Sequence, residues 1–129
     1  MDSGAFRALY DPNDKYHLEA MRLVAVINKG GHKMITTDYA IDESYTGLLT
    51  KTSYAQAMEF DKYLRQSKLK VELITPERFT KAQEVFRKYN KDKKWSFTDC
   101  TSYVVMKELR LKKILTFDKN FEEMGFEVF

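Results

Sequence analysis

Apolar residues recur along this chain in two rhythms, and the alternation between them predicts its elements. A short helix through Leu9 precedes the Asp11-Pro12 turn. Beyond the turn, Leu18, Met21, Ala25 and Asn28 step by three and four, with Val24 and Ile27 widening the stripe, which reads as a helix. Gly30-Gly31 ends it, because glycine takes the left-handed cap without steric penalty. Met34 to Thr37 is a short buried strand. Two helices follow, one with Ile41, Tyr45, Leu48 and Leu49 on a face, the next beginning at Ser53 and carrying Tyr54, Ala57, Met58 and Leu64. Val71 to Ile74 reads as the second strand. Thr75-Pro76 then places a hydroxyl cap and a proline at the start of a helix whose core face is Phe79, Ala82, Phe86 and Tyr89. A lysine-rich loop from Asn90 to Trp95 leads to a helix opened by Ser96-Phe97-Thr98-Asp99 and ending near Leu109. Lys113 to Thr116 is a strand, Asn120 to Met124 a short helix and Phe126 to Phe129 a closing strand. Strands that alternate with helices at this spacing imply βαβ units, hence an α/β fold with a parallel sheet covered on both faces. No linker or repeat interrupts the pattern, so one domain over residues 1–129 is expected.

Composition narrows this in few places. Hydrophobic residues at 43% and aromatics at 14% predict a packed core rather than disorder. Two prolines and five glycines are too few for an all-β chain with many tight turns. The single cysteine, Cys100, excludes an internal disulfide and fits a reducing compartment. His17 and His32 lack ligand spacing, so a structural zinc site is not expected. No apolar run approaches membrane-spanning length and no signal peptide is evident, so a soluble, cytoplasmic protein without membrane association is expected. The net charge of +3 permits a nucleic-acid partner without demanding one.

Candidate chemistry lies in four scattered carboxylates. In an open parallel sheet, ligands bind outside the carboxyl ends of the strands. Asp99 opens a helix, Asp118 follows the strand ending at Thr116, and Asp2 precedes the first helix. Each of these three is equally placed to cap free N–H groups, and Ser96-x-x-Asp99 has the form of a capping box. Glu43 lies inside its helix and cannot be a cap; Ala40 and Gly47 flank it on the same face, which leaves room for a ligand. A solvated surface glutamate accounts for it equally well. If the four meet, a cation is required, since two carboxylates about 4 Å apart repel by about 4 kcal/mol at an effective dielectric near 20. Mg²⁺ suits such a set, and in phosphodiester hydrolysis it makes a serine, cysteine or histidine nucleophile unnecessary.

The stretches Asp2-Ser3-Gly4-Ala5-Phe6, Thr36-Thr37-x-x-x-x-Glu43, Ser96 to Ser102 and Leu115-Thr116-Phe117-Asp118-x-x-Phe121, with the closing Gly125 to Val128, resemble the PIN-domain nucleases. In particular they resemble the VapC-type toxins of toxin–antitoxin pairs, in order over nearly the whole chain. The resemblance implies a three-layer α/β/α fold with a central parallel sheet. It also implies a Mg²⁺- or Mn²⁺-dependent endoribonuclease that acts on RNA, forms a homodimer and is inhibited by a cognate antitoxin. Asp2 and Asp99 would then be the principal metal ligands, with Glu43 and Asp118 completing the acidic cluster, and Ser3 and Thr98 supporting it through their hydroxyls. In the family an apolar central strand runs into the first aspartate, whereas only Met1 precedes Asp2 here. The first strand is therefore expected to be truncated, with open sheet edges and a loosely held Asp2. Lys93 and Lys94 are candidates for RNA phosphates, and Trp95 either stacks on a base or anchors its loop to the core. Two other readings stay open: a PIN-type nuclease acting outside a toxin pair, and a catalytically degenerate domain that binds RNA or a partner.

Overall fold

The structure, a computed structural model, describes residues 1–129. The elements run α1 (Ser3–Tyr10), α2 (His17–Lys29), β1 (Ile35–Thr37), α3 (Asp38–Lys51), α4 (Tyr54–Gln66), β2 (Lys70–Glu72), α5 (Pro76–Tyr89), α6 (Phe97–Glu108), β3 (Lys113–Ile114), α7 (Asn120–Glu123) and β4 (Glu127–Val128). Five helices start where a capping side chain stands: Asp2, Thr37, Ser53, Thr75 and Ser96 each accept a backbone N–H from the first turn. Gly31 at φ 73° supplies the left-handed residue after α2.

All strand pairing is parallel, as the alternation predicts. β1 pairs with β2, Ile35 opposite Lys70 through Thr37 opposite Glu72, and β3 pairs with β4, Lys113 opposite Glu127 and Ile114 opposite Val128. The two pairs do not join into one sheet. At the carboxyl ends of the strands the chain start bridges them. The Met1 amine donates to the Ile35 carbonyl at 2.9 Å and the Thr36 hydroxyl donates to the Met1 carbonyl at 2.8 Å. On the other side the Thr116 hydroxyl donates to Asp2. Below this bridge, a groove of about 430 Å³, lined by Met34 and Ile35 on one side and Lys113 and Leu115 on the other, separates β1 from β3. Because the two pairs stay separate, each keeps an unpaired edge. The loosely held Asp2 expected from the sequence is not found, because Asp2 is buried and held from both sides.

Three apolar clusters hold the helices around the strands. One joins Ala82 of α5 and Val104 and Met106 of α6 to Ile114, Phe121 and Phe126. A second packs Leu23 and Ile27 of α2 and Ala5 of α1 on Leu115. The third packs Phe6, Leu48, Ala57 and Phe60, and joins α1, α3 and α4. The stripe expected to bury α2 faces the wrong way in part. Ala20, Leu23 and Ile27 are buried, while Leu18 is 81% and Met21 50% exposed. α2 carries apolar residues on two faces, so periodicity supplies the helix but not its rotation, which the packing against α1 and Leu115 decides.

Candidate active site

Asp2, Glu43, Asp99 and Asp118 all line one cleft of about 340 Å³ that has no hydrophobic wall. The buried Asp2 is both N-cap and cleft residue. Its Oδ1 accepts the Ala5 N–H at 2.9 Å and its Oδ2 accepts the Thr116 hydroxyl at 2.5 Å. Burial pushes its pKa up to about 6; the Thr116 and Ala5 hydrogen bonds and the Met1 ammonium oppose that rise, and the charge of Asp99 adds to it.

Asp99 sits in the capping box read from the sequence: its N–H donates to Ser96 Oγ at 3.0 Å and its Oδ2 accepts the Ser96 N–H at 3.2 Å. The same Oδ2 accepts Asn120 Nδ2 at 3.1 Å. Burial raises the Asp99 pKa, the Asn120 bond lowers it, and the charge of Asp118 raises it further. Asp118 is exposed. Its Oδ1 accepts the Asn120 N–H at 2.9 Å, and its own N–H donates to Thr116 Oγ1 at 3.0 Å. Glu43 lies midway along α3, where Oε1 accepts the Ser3 hydroxyl. One turn on, Gly47 lines the cleft, and a Cβ there would meet nothing within 4 Å. The small residue therefore keeps the cleft wide rather than relieving a clash.

Capping and site membership are thus compatible. A helix N-terminus aims both its side-chain cap and its positive dipole end at the strand edge where the cleft forms. Two expectations, for Thr98 and Lys93, need correction, and the choice left open for Trp95 is decided. Thr98 does not line the cleft and its hydroxyl bonds none of the carboxylates; Ser96 lines it instead and holds the Asp99 carboxylate through its backbone N–H. Trp95 is buried, packed on Tyr89, with Nε1 donating to Glu123 Oε2 at 3.1 Å. It anchors its loop and has no free face for a base. Lys94 lines the cleft; Lys93 does not. Sequence reasoning also missed Thr116 and Asn120, which tie three of the four acids together, and the cleft cations Arg7 and Lys51. The legible signal was Thr116-x-Asp118-x-Asn120, polar residues two apart just beyond a strand.

The donor set fits a hard divalent cation. Every ligand-type atom among the four acids is a carboxylate oxygen, and Asp2 and Asp99, raised first by burial and further by a neighbouring acid, are groups whose ionised form a cation would favour. No three carboxylates close around a common point. That spacing suits an ion that retains several of its waters and takes one or two protein ligands.

A model of the PIN-domain family matches residues 1–127. The chain belongs to the PIN-domain family. It is 31% identical over 123 residues to a VapC ribonuclease of Archaeoglobus fulgidus, across 94% of this chain and 77% of that one. Its fold matches the crystal structure of VapC20 of Mycobacterium tuberculosis, described as a Sarcin-Ricin loop cleaving toxin, with a TM-score of 0.87 and 25% identity over 97% of this chain and 93% of that one. Like those relatives it is an α/β protein, and no helix of this PIN domain is long and apolar enough to cross a membrane.

The Asp2 environment gives this PIN domain a defined pH response. The folded pKa, about 6, lies above the ordinary value of 3.8, so the folded state binds more protons than the unfolded chain between those limits. The contribution of Asp2 to stability is accordingly lost as pH rises from about 4 to about 6, and stays lost above. In EDTA, the melting temperature of Asp2→Asn relative to the parent should climb across that window and plateau above it. A difference that is flat from pH 4 to 7.5 would show that Asp2 is not held in this environment.

Proposed function

We propose that this PIN domain is a divalent-metal-dependent endoribonuclease, the toxin of a toxin–antitoxin pair, hydrolysing RNA phosphodiester bonds with Mg²⁺ or Mn²⁺ held by Asp2 and Asp99 and by Glu43 and Asp118 beside them. The observation that carries this is the gathering of all four acids in one cleft without hydrophobic walls, on a fold whose relatives include a VapC ribonuclease. A cation held there would acidify a bound water and offset charge building on the phosphate. The remaining work belongs to the chain. Thr116 orients Asp2 while also fixing the backbone at Asp118. The Asn120 amide holds Asp99 and Asp118 near each other against their mutual repulsion. Ser3 turns Glu43 into the cleft. Lys51, Lys94 and Arg7 offer positive charge to the RNA backbone at the rim of an otherwise acidic opening.

The direct test is to incubate the protein with cellular RNA in Mg²⁺ and in EDTA and to sequence the new ends. Discrete ends in Mg²⁺ alone are expected; RNA left intact in both would refute the nuclease reading. Mg²⁺ should also raise the melting temperature at pH 7.5 and have little effect at pH 4.5, where Asp2 is protonated.

For partners we propose a second copy of the chain and a small antitoxin, in the cytoplasm. Support comes from the outward stripe of α2, where Leu18 and Met21 are exposed side by side on one face. Leu18→Glu combined with Met21→Glu should convert a dimer to a monomer in sedimentation equilibrium. A dimer of unchanged affinity would exclude this face.

A further inference from the structure

Next to the acidic cleft lies a second cavity, of about 490 Å³, in which Gly4, Arg7 and Asp118 recur. The two openings are therefore continuous, with Arg7 between them. The new wall is aromatic. Tyr16 and Phe117 stack with ring centroids 4.6 Å apart and planes within 4°. Phe117 rests on the cluster formed by Ala5, Leu23, Ile27 and Leu115, so the platform is rigid from below, while Tyr16 is 38% exposed. Lys119 lines the far edge. Asp14 also lines it, but its carboxylate accepts the Tyr16 N–H at 2.8 Å, which fixes the approach of the ring. Lys15 Nζ lies over the Tyr16 ring, 4.9 Å from its centroid, so a base stacking on the ring would displace this exposed side chain.

Arg7 is the anomaly. It forms no ion pair and no side-chain hydrogen bond, and its Nε is the one buried side-chain polar atom that meets no partner. A buried N–H without an acceptor is costly and rare in a native fold. The terminal N–H groups of the same guanidinium are not buried and have no partner, and a phosphate at the junction of the two cavities would meet them in a charge-assisted bond.

We infer that this second cavity is a nucleotide subsite for the RNA strand leaving the cleft: Arg7 grips the phosphate between the two cavities, and one base stacks on the Tyr16–Phe117 pair. Stacking on an aromatic face tolerates any base, so the subsite adds affinity and places the neighbouring phosphate over the acids without reading sequence. Lys119 meets the following phosphate. The inference rests on the nuclease reading for its substrate, yet binding tests it apart from cleavage.

The experiment measures binding of labelled, mixed-sequence single-stranded RNA octamers in EDTA, alongside cleavage of the same RNA in Mg²⁺. Tyr16→Leu keeps apolar packing on Phe117 but removes the ring, and should weaken binding about fivefold or more, as loss of one stacked base does. Tyr16→Trp should bind as the parent does. Arg7→Gln should weaken binding and make its dependence on the logarithm of salt concentration shallower by about 0.7, one phosphate contact on a single strand. An octamer with an abasic ribose at the stacked position should bind the parent less tightly and Tyr16→Leu no worse than the intact octamer does. Parent-like binding by both Tyr16→Leu and Arg7→Gln, or no measurable binding by the parent, overturns the subsite. If binding depends on Tyr16 and Arg7 but no RNA is cut in Mg²⁺, the subsite stands and the nuclease reading falls. If RNA is cut and neither substitution changes binding or KM, the reverse holds.

Discussion

Asp99→Asn should cut RNA about 10³-fold more slowly than the parent, the loss expected when about 4 kcal/mol of cation-borne stabilisation of the developing phosphate charge is removed. The substitution isolates chemistry from folding. Its side-chain oxygen can still accept the Ser96 N–H that closes the capping box, and the Asp99 backbone N–H still reaches Ser96 Oγ. It also removes one of two like charges that Asn120 now bridges. The metal-free melting temperature should therefore hold or rise while activity collapses. A variant that folds as the parent does and cuts within threefold of its rate would show that the acids of this cleft do not perform the reaction.

Thr116→Val carries the largest expected effect outside the acids. The Thr116 hydroxyl makes two bonds with one oxygen, donating to the buried Asp2 carboxylate and accepting the Asp118 N–H. Valine matches its shape and packing but offers neither bond. The buried carboxylate then loses a donor, and the substitution should destabilise the protein by about 2 kcal/mol, the cost of stranding a buried charged acceptor. For a domain of this length that is a fall of about 8 °C in melting temperature. Activity should drop as well, since Asp2 loses the contact that orients it and protonates more readily near neutral pH. Thr116→Ser, which keeps the hydroxyl, should recover most of both. If valine melts and cuts like threonine, the contact is incidental.

How much of this was legible in the chain differs from residue to residue. Helix starts were, because a cap is a local event: Thr37, Ser53, Thr75 and Ser96 each bond a backbone N–H three residues on. Strand boundaries were less so. The apolar run Lys113 to Thr116 yields a ladder of only Lys113–Ile114, since Leu115 and Thr116 face Met1 and Asp2 rather than a paired strand. The outer and inner faces of α2 were not separable, because both carry apolar residues. Trp95 was ambiguous for a related reason: an aromatic beside lysines serves a core or a ligand equally well until its indole N–H is seen to reach Glu123.

The amino-acid sequence by itself determined the alternation of helix and parallel strand, the family, and four acids of the right type in the right order. Those depend on local propensity, periodicity and motif register, which are properties of neighbouring residues. Tertiary structure alone decided that the four acids share a cleft, since Asp2 and Thr116 are 114 positions apart and meet only when the two strand pairs close on Met1. It alone decided that Asn120 bridges two of them, that Trp95 belongs to the core, and that Arg7 stands unpaired between two cavities. Contacts between distant segments carry no local signature, because their energy exists only once the intervening chain has been ordered.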